Sequence, residues 1–311
     1  MCRCTNLLSH TFISSLFDLQ VMTNNISDEN VTNYSPDGSY RLWKYDWNLG
    51  EPDIILVHGF SVRMPLLCLP APGHIREGSN NCFCQLGSFL HSDRNFNIWE
   101  FEYADLYPIY DPLVEKNLYF NVNDLTTYGT RLMQAIGIVQ GQNPGVNINI
   151  VAHSMGGLIA RYATKCMPTG TISKIVTLDT GHLGFELANA ADSILHAAGV
   201  TLPPDVHCSQ DAEENSAFIQ HLNENFDPSN PELLSLAAQK PMPLPFPPLP
   251  PATYIRVVDW HSSSMGQIGD DGHSTDVDYH MQYFRLPYDH MSIAQINDRD
   301  HQAYEAITGY F

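Results

Sequence analysis

The stretch from Val146 to Ala163 constrains this chain more than any other. It reads Val-Asn-Ile-Asn-Ile-Val-Ala-His-Ser-Met-Gly-Gly-Leu-Ile-Ala-Arg-Tyr-Ala. From Val146 to Val151, Val and Ile alternate with Asn, the period of a strand, whereas Leu158, Ile159, Tyr162 and Ala163 recur at helical spacing. The residues between, Ala152 to Gly157, leave room only for a sharp strand-to-helix turn with Ser154 at its apex. Such a turn needs small residues two positions to either side, because the strained serine backbone brings its flanks against the neighbouring chain. Ala152 and Gly156 supply them. Ser154 then projects from the carboxyl end of the strand, with the helix N-terminus behind it.

A buried strand, a serine elbow and an amphipathic helix in this order resemble the α/β-hydrolase superfamily. The likeness is to its lipase and carboxylesterase side, of the bacterial triacylglycerol lipase and inositol-lipid deacylase type. The usual motif is Gly-x-Ser-x-Gly; Ala152 stands at the first glycine, a variant found in some small bacterial lipases. The resemblance implies an α/β class chain with the α/β-hydrolase fold, a mostly parallel central sheet flanked by helices, with an inserted cap or lid. It makes Ser154 the nucleophile.

Three further stretches carry the same resemblance. Asp53-Ile-Ile-Leu-Val57 is a continuous apolar run, as in a strand buried on both faces, and His58-Gly59-Phe60 follows at once. In lipase-like families a strand ending in His-Gly delivers the next amide to the oxyanion hole, which implies the amides of Phe60 and Met155 as the two donors. The run Ser173 to Leu178 reads as another buried strand, followed by Asp179-Thr-Gly-His-Leu-Gly184. Those families read Thr-Pro-His-x-Gly there, which makes His182 a hydrogen-bonded residue of the site wall. Ser216 to Asn223 resembles their Ser-x-Phe-Leu-x-x-Leu-Asn segment.

Activation of a serine needs a base in reach and an acid to orient it, in the chain order Ser, acid, His for this fold. Met281 to Leu286 alternates as the last strand, and His290 follows it in Asp-His-Met-Ser-Ile, similar to the catalytic histidine segment of many lipases. His290 is the expected base. The acid is expected after the strand at Tyr254–Val258, where Asp259, Asp270, Asp271, Asp276 and Asp278 compete. Asp276 matches the front of the Thr-Asp-Gly-x-Val pattern and is preferred; Asp271, before Gly272, comes second. Asp179 is a further rival, because pancreatic-type lipases place their acid after the strand that follows the elbow, and it ranks third because the His182-containing motif makes that place look structural.

The remaining pattern supplies the frame. Residues 1–38 lack sustained periodicity and read as a mobile arm, with 39–311 as the hydrolase domain. Tyr40–Trp47 reads as an early edge strand, Cys82–Leu90 as a helix and Phe96–Tyr103 as a strand. Residues 104–120 read as an aromatic loop, Asn123–Val139 as a helix, and the chain ends in a helix. Residues 185–252 interrupt the alternation and read as the cap. Its proline-rich strap at 241–251 is extended, and serves as substrate contact, as a linker or as a ligand for a proline-binding module.

Composition narrows the function. Asp plus Glu number 34 against 15 Lys plus Arg, a net charge of −19. Such a surface repels nucleic acid and suits solubility. No apolar run reaches the roughly 18 residues of a membrane span, which leaves at most transient contact with a lipid interface. No metal-ligand motif appears, and no cofactor or metal is expected. The seven cysteines include Cys68, Cys82 and Cys84, which leave either a loop disulfide or free thiols open. Met1–Gln20 is a poor signal peptide, and three Asn-x-Ser/Thr sequons lie in an Asn-rich segment, so the compartment stays open.

The expected activity is hydrolysis of carboxylic esters with apolar acyl chains through a Ser-His-Asp triad and a covalent acyl-enzyme. An acyltransferase or thioesterase uses the same triad, and a catalytically silent hydrolase fold serving as a binding protein is the alternative from another class.

Overall fold

The computed structural model describes residues 32–34, 40–44, 50–59, 83–103, 106–111, 116–121, 123–185, 210–227, 230–243, 254–267 and 281–311. Its strands are β1 (Thr32–Tyr34), β2 (Tyr40–Lys44), β3 (Asp53–Val57), β4 (Asn97–Tyr103), β5 (Leu106–Asp111), β6 (Lys116–Asn121), β7 (Ile148–His153), β8 (Ile172–Leu178), β9 (Glu232–Ala238), β10 (Met242–Pro243), β11 (Tyr254–Ile255) and β12 (Gln282–Leu286). Its helices are α1 (Leu86–Arg94), α2 (Leu125–Gln142), α3 (Met155–Cys166), α4 (Ala217–Asn223), α5 (Trp260–Ser263) and α6 (Gln302–Tyr310).

Eight strands form one sheet in the order β1-β2-β4-β3-β7-β8-β9-β12. The β1–β2 and β2–β4 pairs are antiparallel, and every pair from β4–β3 to β9–β12 is parallel. Parallel strands are covered on both faces, and the sequence obeys: all five residues of β3 and all six of β7 are buried. Along β3, Ile55 and Val57 join the core beneath α2 and α3, whereas Ile54 and Leu56 join the core beneath α1 and α6. A one-residue slip would exchange those faces, so the two cores fix the register.

The helices follow from their patterns. In α2, Leu125, Tyr128, Leu132, Ile136 and Val139 are buried on one stripe. Asp124 caps it by accepting a hydrogen bond from the Thr127 amide. The stripe packs on α3, which carries the turn containing Ser154 and buries Leu158, Ile159 and Ala163. Leu158 and Ile159, fully buried, each contribute about 1.5–3 kcal/mol.

Four expectations need correction. Thr32–Tyr34, placed in the mobile arm, forms β1 and pairs with β2, so β2 is not the sheet edge. The expected aromatic loop at 104–120 holds the β5–β6 antiparallel hairpin, whose tyrosines and prolines obscured its alternation. Within the expected cap, Glu232–Ala238 is a central strand, β9, hydrogen-bonded between β8 and β12. Its Leu-Leu-Ser-Leu-Ala-Ala run is short and apolar throughout, and periodicity does not tell such a segment from a helix. The strand expected at Tyr254–Val258 shrinks to Tyr254–Ile255, paired only with Met242–Pro243 in a separate two-stranded ribbon. Residues 1–31 and 35–38 of the arm, and 186–209, 228–229 and 244–252 of the cap with most of its proline-rich strap, lie outside the described residues.

Candidate active site

Ser154 sits between β7 and α3 with φ 54° and ψ −127°, left-handed backbone that a non-glycine residue adopts only under strain. Several contacts hold it there. The Ser154 amide donates to the Leu178 carbonyl at 2.9 Å, and the Thr180 hydroxyl donates to the Ser154 carbonyl at 2.9 Å. The closeness of the turn explains its glycines. A Cβ on Gly156 would meet the Val57 and His58 carbonyl oxygens at 2.5 Å, and one on Gly157 would collide with Thr180 Oγ1. Gly59 packs equally close: a Cβ there would lie 2.7 Å from Ser154 Cβ. The His58-Gly59 turn and the Ser154 turn are therefore in direct contact at the carboxyl ends of β3 and β7.

Asp179 follows β8 directly and is almost fully buried. Its φ is also positive, at 48°. Its amide donates to the Leu236 carbonyl at 2.7 Å, and its Oδ1 accepts the Ala238 amide at 2.9 Å. Both contacts come from β9, so the strand hidden in the expected cap is what fixes this carboxylate. The other oxygen, Oδ2, lies 2.7 Å from His290 Nδ1.

His290 is buried, on the turn after β12. Asp289 shapes that turn: its Oδ1 accepts the amides of Met291 and Ser292. His153, next to Ser154, hydrogen-bonds through Nε2 to the His290 carbonyl at 2.7 Å, and the two rings lie 4.8 Å apart. A carbonyl only accepts, so His153 donates from Nε2 and its Nδ1 is the bare nitrogen. Burial, followed by the nearby His290, pushes the His153 imidazole down to about 3. Burial likewise pushes His58 down to about 4.

His182 stands below this layer, fully buried, with Arg161 of α3 against it. Arg161 Nη1 approaches His182 Nδ1 at 3.4 Å and donates to the His182 carbonyl at 3.1 Å; Nη2 donates to Asn223 Oδ1 at 2.7 Å. With Nδ1 accepting, the Nε2–H donates to Thr177 Oγ1 at 3.1 Å. Burial first, then the Arg161 charge, hold His182 well below its ordinary value. The motifs around His182 and Asn223 thus meet on one arginine, which ties the loop after β8 and α4 to the elbow helix.

These neutral imidazoles have a consequence for stability. Unfolded, each histidine takes up a proton near its ordinary value of 6.5; folded, His58 resists protonation to about 4 and His153 to about 3. The unfolded state binds more protons throughout that window, so stability falls as pH drops from 6.5 toward 4. The expected loss between pH 7 and 5 is about 2 kcal/mol for each of these histidines. Urea unfolding at pH 7 and pH 5 measures it; equal stabilities at the two would contradict neutral burial.

Of the acids expected after β11, Asp259 is described, and its Oδ1 caps α5 by accepting the Ser262 amide at 2.5 Å. Asp276, Asp271, Asp270 and Asp278 lie outside the described residues, as does Phe60. The carboxylate found on His290 is that of Asp179, the position ranked third from the sequence. Met155 opens α3 directly after Ser154. Among the described residues no group of three metal-binding side chains gathers, and no helix is long and apolar enough to cross a membrane.

Residues 112–242 match the family described as "Putative serine esterase (DUF676)". No curated protein sequence matches the chain. Among solved structures, phospholipase PlaB from Legionella pneumophila superposes with a TM-score of 0.53 at 17% identity, over 83% of this chain and 58% of that one. The chain therefore spans little more than half of that phospholipase. Lipase BlEst2 from Bacillus licheniformis, in mature form, superposes with a TM-score of 0.50 at 15% identity, over 88% of this chain and 98% of that one. By its sheet and these likenesses, this chain is an α/β-hydrolase-fold protein, similar over residues 112–242 to a family of serine esterases.

Proposed function

We propose that the chain is a serine carboxylic ester hydrolase whose triad is Ser154, His290 and Asp179. The observation that carries this reading is the 2.7 Å pair between His290 Nδ1 and the buried Asp179 carboxylate, next to a serine on a strained elbow. A carboxylate there holds Nδ1 as the protonated nitrogen and leaves Nε2 bare to take a proton. Asp276, expected from its motif, gives way in this reading because Asp179 already occupies Nδ1.

In the proposed reaction, His290 Nε2 removes the Ser154 hydroxyl proton as Oγ attacks the ester carbonyl. The negative charge on the tetrahedral oxygen is met by the Met155 amide at the start of α3. It is also met by the amide of Phe60, next in the chain after Gly59, which itself packs against Ser154. His290 returns its proton to the leaving alcohol, and water, deprotonated in turn by His290, releases the acid and restores Ser154. Among the described residues the Ser154 hydroxyl and His290 make no hydrogen bond; in the proposed reaction the two come within reach once substrate is engaged.

The solved structures that this chain resembles are named as a phospholipase and a lipase, which favours esters with apolar acyl chains as substrates. A series of p-nitrophenyl esters of rising acyl length tests the reading. Turnover that rises with chain length is expected. No turnover of any ester by the folded protein would overturn the hydrolase and leave an acyltransferase or a binding protein on the same fold.

A further inference from the structure

Arg256 and Arg285 both lie against the ring of Trp260, their guanidinium carbons 4.4 and 4.6 Å from the ring centroid. Two cations drawn to one indole are mutually repulsive, and cation–π attraction offsets that only in part. In a protein with 34 acidic residues, carboxylate neighbours would be the ordinary remedy. Yet among the described residues neither arginine pairs with a carboxylate. Asp259, adjacent to Trp260, turns its carboxylate into the α5 cap instead.

The donors are also underused. Arg256 gives Nη1 to the Ala238 carbonyl at 3.3 Å and Nη2 to the Gln239 carbonyl at 3.1 Å, and its side chain is otherwise exposed. The half-buried Arg285 guanidinium makes no hydrogen bond among the described residues. The Trp260 indole nitrogen is buried without a hydrogen-bond partner. A buried donor left unpaired is costly, and native structures rarely tolerate one without a reason.

The cluster lies on the far side of Asp179 from Ser154. Arg285 of β12 pairs in register with Ala237 of β9, and Ala238, which Arg256 contacts, donates its amide to Asp179. From β7 to β12 is three strand steps, about 14 Å. That separation suits a group at the end of a substrate remote from its reacting carbonyl.

We propose that Arg256 and Arg285, stacked on Trp260, form an anion subsite that takes a phosphate group. Two guanidinium groups held on one ring, with that of Arg285 making no hydrogen bond among the described residues and the exposed Arg256 keeping N–H groups to spare, suit a tetrahedral anion with several acceptor oxygens. The phosphate is carried by the ester substrate or is free inorganic phosphate. The first source rests on the ester-hydrolase reading; the site itself does not.

The test uses the Ser154→Ala protein, so that nothing is turned over, and follows the indole N–H resonances of its four tryptophans. Trp260→Phe assigns the one that matters. Inorganic phosphate at constant ionic strength is expected to shift that resonance saturably. Arg285→Gln should weaken binding about ten- to a hundredfold, the span of one charge-assisted contact. Arg285→Lys, which keeps the charge but not the fork, should fall between. No shift, or the same shift with chloride or in the Arg256→Gln/Arg285→Gln protein, would overturn the site.

A second arm compares a monoacyl ester bearing a phosphate with its neutral counterpart on wild type. If the substrate carries the phosphate, kcat/KM favours the charged ester about tenfold or more, and Arg285→Gln loses most of that preference while turning over the neutral ester normally. Equal rates beside a saturable shift assign the site to free phosphate. A shift without hydrolysis of either ester would defeat the hydrolase reading and leave the anion site standing.

Discussion

Ser154→Ala is expected to lower kcat for ester hydrolysis about a millionfold, with the fold intact. The size follows from what the hydroxyl supplies. Without Oγ no acyl-enzyme forms, and His290 has no proton to accept in the first step. What survives is the electrostatic help of the amides and of binding, about a thousandfold over water. The variant folds because the methyl of alanine keeps the Cβ that packs near Gly59, and the elbow's hydrogen bonds run through the backbone of residue 154. Stopped-flow or long-time assays with a p-nitrophenyl ester, beside a thermal melt, measure both. Retained hydrolysis would end the account of Ser154 as nucleophile.

Asp179→Asn is expected to cost about 10⁴ in kcat with little change in KM. Its geometry explains why. The Ala238 amide donates to one oxygen of residue 179, so an asparagine there turns its carbonyl to Ala238 and its NH₂ to His290. The NH₂ then donates to Nδ1, which must be bare, and the imidazole proton moves to Nε2. In that tautomer His290 no longer takes the serine proton. Asp276→Asn serves as the opposite arm, since Asp276 is the acid that its surrounding motif favours. The account expects near wild-type kcat from Asp276→Asn. If instead Asp276→Asn is crippled and Asp179→Asn is not, the pairing of His290 with Asp179 is structural and the acid lies elsewhere.

The contrast between those two aspartates shows which parts of the site were legible in the sequence. The Ser154 turn is local: strand period, small flanks and helix period all fall within 18 consecutive residues, so the pattern reports the shape. His290 sits just after β12, whose alternation of side chains was readable. The carboxylate on His290 was not readable, because its place depends on β9. That strand is apolar throughout, lies between segments without clear period, and enters the sheet beside β8. Read as part of a cap, it left the sheet one strand short and moved the expected acid to the strand at Tyr254–Val258. Had Leu233–Ala238 been taken as the strand after β8, Asp179 would have gained neighbours for both its amide and its Oδ1. The arginine cluster on Trp260 was equally silent, since Arg256, Trp260 and Arg285 come together only when β12 docks on β9.

His182 illustrates the opposite case. Its motif marked it as a wall residue, and it is enclosed by Arg161, Thr177 and Asn223 with both ring nitrogens engaged. A buried histidine satisfied in this way has no free nitrogen for proton transfer.

The most direct measurement is covalent labelling. A fluorophosphonate reacts only with a serine whose proton is withdrawn by a positioned base, so it reports the elbow, the base and the oxyanion site in one step. The account predicts one label per folded chain, on the peptide containing Ser154, with no label on Ser154→Ala and strongly slowed labelling of Asp179→Asn. A folded protein that takes no label, or takes it at another serine, would contradict the claim that this elbow is an active site.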